Sequence, residues 1–271
     1  MSSGSVALPA RIIPGLPSGG RLCLRLLQRN LVVARKQWLI IISGLFEPVF
    51  YLVGLGIGVG ALIGTVEIDG RTVPYQDFAA PAMLAAAAMN GAVYESTINI
   101  FAKLKWQKTY EGVLATPLGV RDVALGEVIY ALMRGTLYAI GFMIVMAALG
   151  LVESVWAVLA VPAAVLIGAA FASVGLIVVT VMRSWADFGF IEVATLPLFL
   201  FSATFVPYHE YPEAVQWILP LTPLYHGVEL IRALTLGTVD VSVLLHVAYL
   251  VAMLGIGLTF AGRRLERLLV K

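Results

Sequence analysis

Six long apolar runs divide the chain between residues 38 and 262: Trp38–Gly64, Phe78–Phe101, Val123–Leu149, Val155–Met182, Phe188–Val206 and Val241–Gly262. A helix rises about 1.5 Å per residue, so roughly 20 apolar residues cross a hydrocarbon core of about 30 Å. Each run reaches or approaches that length. A helix also satisfies its own backbone hydrogen bonds, which is the condition for burial in lipid. The pattern predicts six membrane-spanning helices. Two shorter patterns accompany them. On a helical projection of residues 21–37, Arg21, Arg25, Gln28, Arg29, Arg35 and Lys36 share an arc of about 120°, broken only by Val32, with Leu22, Leu26, Leu27, Leu31 and Val33 outside it. A basic amphipathic helix of this kind suits the headgroup layer ahead of Trp38. Before the sixth run, Pro207 to Thr238 holds two apolar stretches, Ala214–Leu219 and Leu224–Leu236, set among prolines. They are too short to span, and predict two short re-entrant helices.

Composition supports this reading. The 271 residues are 60% hydrophobic and 13% charged, where a soluble domain carries roughly 25% charge. Residues 1–20, rich in Ser, Gly and Pro, are expected to form a disordered tail, and residues 21–271 a single transmembrane domain. No short apolar region with a small-residue cleavage site opens the chain, so the first run is expected to be retained. The net charge of +2 matters less than its distribution. Fifteen of the eighteen Lys and Arg fall in residues 1–37, the second and fourth connections and the tail. Arg71 and Arg232 fall on the other side, and Arg134 inside the third run. The positive-inside rule then places both termini in the cytoplasm, as does an even number of spans. The single cysteine, Cys23, has no intrachain partner and reads as a small packing residue.

Ionisable residues within the runs are Glu47, Glu95, Glu127, Arg134, Glu192 and His246. A charge at the bilayer centre costs roughly 2.5–3.5 kcal/mol on insertion scales, so each must face protein, water or an opposite charge. Arg134 is expected to find a carboxylate on another helix. Glu127, near the cytoplasmic end of its run, is expected to be solvated. His246 reads as a hydrogen-bonded packing histidine. The first run holds Gly54/Gly58 and Gly60/Gly64 at four-residue spacing, which predicts close helix packing that a Gly58→Leu change would damage. No Walker-type loop is present, so this chain cannot itself cradle and hydrolyse ATP. The three histidines lack metal-ligand spacing, and no nucleophile elbow occurs.

Two segments carry a family resemblance. The second connection runs from Lys108 through Tyr110, Glu111, Leu114, Thr116 and Pro117 to Arg121 and Glu127. It resembles the segment after the second span of permeases of the ABC-2 type, most nearly those of the nodulation-factor, drug and polysaccharide export branches. The external segment, with Phe205, Pro207, Tyr211, Pro212, Trp217, Pro223, Tyr225, Glu229 and Arg232, resembles the same family's paired re-entrant helices, with Thr222 where members commonly have Asn. Glu47-Pro48 before the glycines resembles its first span. The resemblance implies an all-α integral membrane protein: six transmembrane helices, an N-terminal interfacial helix, a cytoplasmic coupling helix between spans two and three, and two re-entrant helices before span six. It further implies two separate ATPase subunits, which bind the ATP and Mg, and a second permease subunit, identical or paralogous. No cofactor is expected in this chain and no nucleic-acid partner. Lys103–Leu118, a polar helix continuous with spans two and three, would be the lever that docks on the ATPase, with Lys108, Tyr110, Glu111, Leu114, Thr116 and Pro117 as contacts.

Two other functions remain open on the residues alone. Glu95, Arg134, Glu192 and His246 are the groups a proton- or ion-coupled carrier would use, although such carriers show inverted repeats and the two halves here show no convincing symmetry. The external cluster His209, Glu210, Tyr211 and Glu213 could serve a membrane-embedded enzyme.

Overall fold

The computed structural model describes residues 22–36, 46, 49–68, 70–107 and 109–269. The expected tail over residues 1–20, the start of the first apolar run, Glu47 and Lys108 lie outside the described residues. Helix α1 (Cys23–Lys36) comes first. Later, a wide π-type helix over Leu52–Val59 tightens into α2 (Gly60–Ile63). Strands β1 (Thr65–Ile68) and β2 (Arg71–Pro74) follow. Helix α3 (Tyr75–Tyr94) continues through π-type turns at Glu95–Asn99 and Ala102–Trp106. The short α4 (Thr109–Leu114) precedes α5 (Val120–Ala148). A 3-10 turn at Val155–Leu159 opens α6 (Ala160–Val181), and another at Trp185–Asp187 opens α7 (Phe188–Leu200). Then come α8 (Glu213–Gln216), α9 (Pro223–Leu236) and α10 (Ser242–Leu269).

Among the described residues, three helical segments are long and apolar enough to cross a membrane: Leu125–Ala148, Val155–Val181 and Ser242–Arg264. The fifth run is helical only as far as Leu200. Its 13 residues rise about 20 Å, short of a full crossing. The chain turns at Phe201, and Ala203 takes a φ of 55°.

The all-helical expectation is corrected between the first two runs, where β1 and β2 form an antiparallel hairpin pairing Val66 with Val73 and Ile68 with Arg71. Asp69-Gly70 between alternating apolar residues is a strong short-range hairpin signal, and Gly70 has the required positive φ, 76°. The paired re-entrant helices are also corrected. Pro212 and Pro220 confine the first limb to α8 and 3-10 turns at Tyr208–Glu210 and Leu219–Leu221, while the second limb is the full α9. Pro207 opens the first of those turns, Pro223 occupies the first helical position of α9, and Gly237, in the left-handed region, ends it. Proline there lacks only a hydrogen-bond donor that the helix start leaves unused.

Helix α6 is the centre of the bundle, with α3, α5, α9 and α10 packed against it. Helices in lipid gain little from hydrophobic burial against each other, so close backbone approach matters more. A Cβ at Gly175 of α6 would lie 3.0 Å from Ser96 Cβ, and one at Gly257 of α10 only 2.7 Å from Ser173 Cβ. Side chains fill the middle: Leu84, Met89, Phe142, Met146, Ile167, Ile231 and Leu250 belong to one buried cluster. The glycines of the first run behave differently from expectation. A Cβ at Gly60 would sit 3.3 Å from Gln76 Cγ, but at Gly54 and Gly58 it meets nothing within 4 Å among the described residues. Among those residues the spacing brings no second helix against Gly58.

Candidate functional site

At one end of the bundle a second apolar cluster joins Leu26 of α1, Phe101, Tyr110 of α4, Val123 of α5, Val179 of α6, Phe188 of α7 and Ala261 of α10. The segments that carry most of the cations therefore meet at a single end. Glu127 lies among them. It is 4% exposed, although a position near the end of an apolar run predicts solvation. The cause is α1, whose buried stripe Cys23, Leu26, Asn30 and Ala34 lies on α5.

Three segments converge on this carboxylate of α5. Lys103 Nζ stands 2.7 Å from Glu127 Oε2, and Asn30 Nδ2 donates to the same oxygen at 3.3 Å. Tyr110 is buried with its hydroxyl beside Glu127 but without a well-aligned hydrogen bond to it. Burial first, and the adjacent carboxylate second, raise the Tyr110 pKa and keep the phenol neutral. One buried group thus brings α4, α1, the π-type turn after α3 and the start of α5 together.

Gly126 permits the α1 contact. A Cβ there would fall 2.9 Å from Leu26 Cδ2 and 3.1 Å from the Cys23 carbonyl oxygen. Overpacking of this kind typically costs about 1–3 kcal/mol. Gly126→Leu is therefore expected to lower the thermal midpoint and to speed hydrogen exchange across Cys23–Lys36. Unchanged exchange there would show that α1 does not depend on this contact.

The expected rigid continuity of the coupling segment is corrected. The helix after α3 breaks at Gln107, α4 ends at Leu114, and residues 115–119 are non-helical. Thr116 Oγ1 donates back to the Val113 carbonyl at 2.6 Å, and Pro117 follows. Proline disfavours helix in the residue before it. The Gly119 N–H donates to Asp122 Oδ2 at 3.0 Å and starts α5 afresh. The segment expected to be a lever is a short helix flanked by non-helical residues on both sides. Of its expected contact residues, Tyr110 points inward while Thr116 and Pro117 are exposed. The side chains of Glu111 and Leu114 lie outside the described residues.

Deeper in the bundle Arg134 forms an ion pair with Glu95. Asn99 Nδ2 donates to the other Glu95 oxygen at 2.7 Å, and Arg134 Nε donates to the Tyr138 hydroxyl at 2.9 Å. Glu95 opens a π-type turn, a distortion that recurs at functional sites. Glu192 stands apart from this group, exposed on α7.

At the opposite end, Arg232 is a buried staple. Its Nη2 donates to the Ala203 carbonyl at 2.8 Å, its Nε to the Phe78 carbonyl at 3.4 Å, and it pairs with Glu229. Its guanidinium carbon lies 4.0 Å from the Phe78 ring centroid. His246 Nδ1 is 2.8 Å from His226 Nδ1, and His226 Nε2 is 2.8 Å from the Pro220 carbonyl. The carbonyl can only accept, so neutral His226 carries its proton on Nε2 and His246 donates from Nδ1. Tyr225 lies beside both rings. In the external cluster, Tyr211 donates to the Leu200 carbonyl at 3.1 Å and Tyr208 to the Gln216 carbonyl at 3.1 Å, so both hydroxyls brace turns.

Sequence reasoning missed Asn30, Lys103, Gly126 and Glu127 as a unit. Their signal is faint: a polar residue on the apolar side of α1, and a Gly-Glu pair beginning a long run.

Apolar spanning helices around a junction at the cation-rich end define a helical membrane protein. Residues 21–236 match the model of the family described as ABC-2 type transporter. The chain belongs to that family and is a membrane component of a transporter. It is similar to nodulation protein J of Rhizobium leguminosarum bv. viciae, at 36% identity over 259 residues covering 93% of this chain and 98% of that one. Nodulation protein J of Rhizobium meliloti (strain 1021) is 35% identical over 241 residues, covering 88% of this chain and 90% of its own. That of Sinorhizobium fredii (strain NBRC 101917 / NGR234) is 34% identical over 225 residues, 82% and 84% of the two chains.

Proposed function

We propose that the chain is the permease half of an ATP-driven exporter in a bacterial plasma membrane. It crosses the membrane six times with both termini cytoplasmic, the fifth crossing made by α7 together with the non-helical residues that follow it to Val206, pairs with a second permease, identical or paralogous, and is driven by two separate ATPase subunits that bind ATP and Mg. Its cargo is a lipid, a glycolipid or polysaccharide, or an amphipathic drug, moved outward. One observation carries this reading: α4 and its hinges are wired through buried Glu127 to α1 and α5. Closure of the ATPase pair would push α4. Glu127 and Lys103 would pass the displacement to α5 and α3, and the bundle would tip between inward- and outward-facing states. A two-state element biased by nucleotide is what coupling requires.

The exporter reading also accommodates the groups that motivated a carrier: Arg134 pairs with Glu95 and His226 lies within hydrogen-bond distance of His246, as packing requires of buried polar groups in a bundle, while Glu192 is exposed.

Glu111→Arg tests the lever. Bringing like charges together across an interface costs several kcal/mol, and 1.4 kcal/mol is a factor of about ten in affinity. The expected result is at least a roughly tenfold loss of co-purified ATPase from a chain that still inserts, with matching loss of cargo-stimulated ATP turnover. Full co-purification and turnover would contradict the assignment. Transport driven by a pH gradient in liposomes without ATP or ATPase would favour the carrier.

A further inference from the structure

At the cation-rich end, two connections far apart in sequence are clasped by aromatic rings. Trp106 and Trp185 stack at 4.7 Å with 16° between their planes. Trp185 lies 4.7 Å from Phe188, and Phe188 meets Phe101 edge-to-face at 5.2 Å. Phe101 and Phe188 are buried, whereas Trp106 is 65% and Trp185 48% exposed. The set therefore grades from the bundle interior to an open indole pair. The pair stands where the apolar helix ends: Val181 is the last residue of α6, and Trp185 follows four residues later. Indoles favour that depth, with an apolar face toward acyl chains and an N–H toward headgroups.

Each indole is preceded by an exposed cation, Lys105 beside Trp106 and Arg183 two residues before Trp185. Among the described residues neither cation is in an ion pair. The nearby carboxylate, Asp187, accepts instead from the backbone N–H of Arg183 at 2.7 Å and of Ser184 at 3.1 Å, and from the Ser184 hydroxyl at 3.2 Å. It caps the turn into α7. The carboxylate on α7 itself, Glu192, lies a further turn along the helix from Phe188.

We propose that this patch is a binding site for the phosphate headgroup of an anionic phospholipid, with Lys105 and Arg183 on the phosphate and the stacked Trp106–Trp185 pair against its glycerol and upper acyl chains. Lysine and arginine side chains beside a membrane surface attract anionic lipid. Such a lipid would clamp the turn after α3 to the turn before α7, beside the α4 hinge.

The test uses the full-length chain with Trp38, Trp156 and Trp217 replaced by Phe, in vesicles carrying brominated phosphatidylglycerol or brominated phosphatidylcholine at equal mole fraction. Brominated phosphatidylglycerol is expected to quench the remaining tryptophans at least twofold more strongly than brominated phosphatidylcholine, and K105Q/R183Q to abolish the difference. Native mass spectrometry of the unmodified chain should likewise retain phosphatidylglycerol, with several-fold less retained by K105Q/R183Q. Equal quenching by the two lipids, or a preference that survives loss of both cations, overturns it. Shielding of the tryptophans only on addition of the ATPase subunit, without lipid preference, also overturns it and gives the patch to that partner. The assay needs no transport, so its failure leaves the exporter reading standing.

Discussion

Lys103→Ala should destabilise the chain by about 3–5 kcal/mol, the usual cost of leaving a buried charge without its partner. The Glu127 side chain is 4% exposed and the Lys103 side chain 12%. Removing the lysine strands a carboxylate that then holds only Asn30 and the poorly aligned Tyr110 hydroxyl. Glu127→Gln should cost less, about 1–2 kcal/mol, because glutamine keeps the shape and its amide oxygen can still accept from Asn30 and Lys103. Lys103→Ala combined with Glu127→Gln should recover part of the loss. The thermal midpoint of the detergent-solubilised chain ranks the three variants. If Glu127→Gln proves the more damaging, the carboxylate does more than balance Lys103. In the assembled transporter, Lys103→Ala should also uncouple: ATP turnover persists while cargo movement falls.

Arg134→Leu is expected to be similarly severe, again about 3–5 kcal/mol. It leaves Glu95, whose side chain is 6% exposed, with Asn99 as its one remaining donor among the described residues. The paired change Glu95→Leu with Arg134→Leu should restore most of the stability, because replacing a buried ion pair by apolar residues is often neutral or better. A double-mutant cycle measures this directly. Additive losses would mean that the two residues act separately despite their contact. Restored stability without restored transport would give the pair a part in the cycle beyond packing.

Much of this architecture was legible in the chain itself. Long apolar runs reported the helices α3, α5, α6 and α10, because spanning length and composition are properties of a segment alone. Cation counts reported which connections share an end, because that asymmetry is written segment by segment. Residues 207–240 announced turns through their prolines, although not that Pro212 and Pro220 would leave the first limb in fragments. The Glu127 junction was not legible. Asn30, Lys103 and Glu127 belong to three different elements, and nothing local indicates that α1 folds back over Gly126. The same holds for His226 and His246, 20 residues apart, which only the packing of α9 on α10 brings together. Gly58 fails for the opposite reason: its spacing fits a packing motif, but the motif does not say which face has a neighbour. The hairpin had a recognisable Asp-Gly signal, overshadowed by the apolar runs on either side.

The account depends on α4 and its hinges lying on the ATPase side of the membrane. Cysteine labelling at the exposed Thr116 tests this most directly, using Thr116→Cys in a Cys23→Ala chain and a membrane-impermeant maleimide. The account predicts labelling only after the cells are opened. Labelling of intact cells would put the lever outside, beyond reach of any cytoplasmic ATPase, and would contradict it.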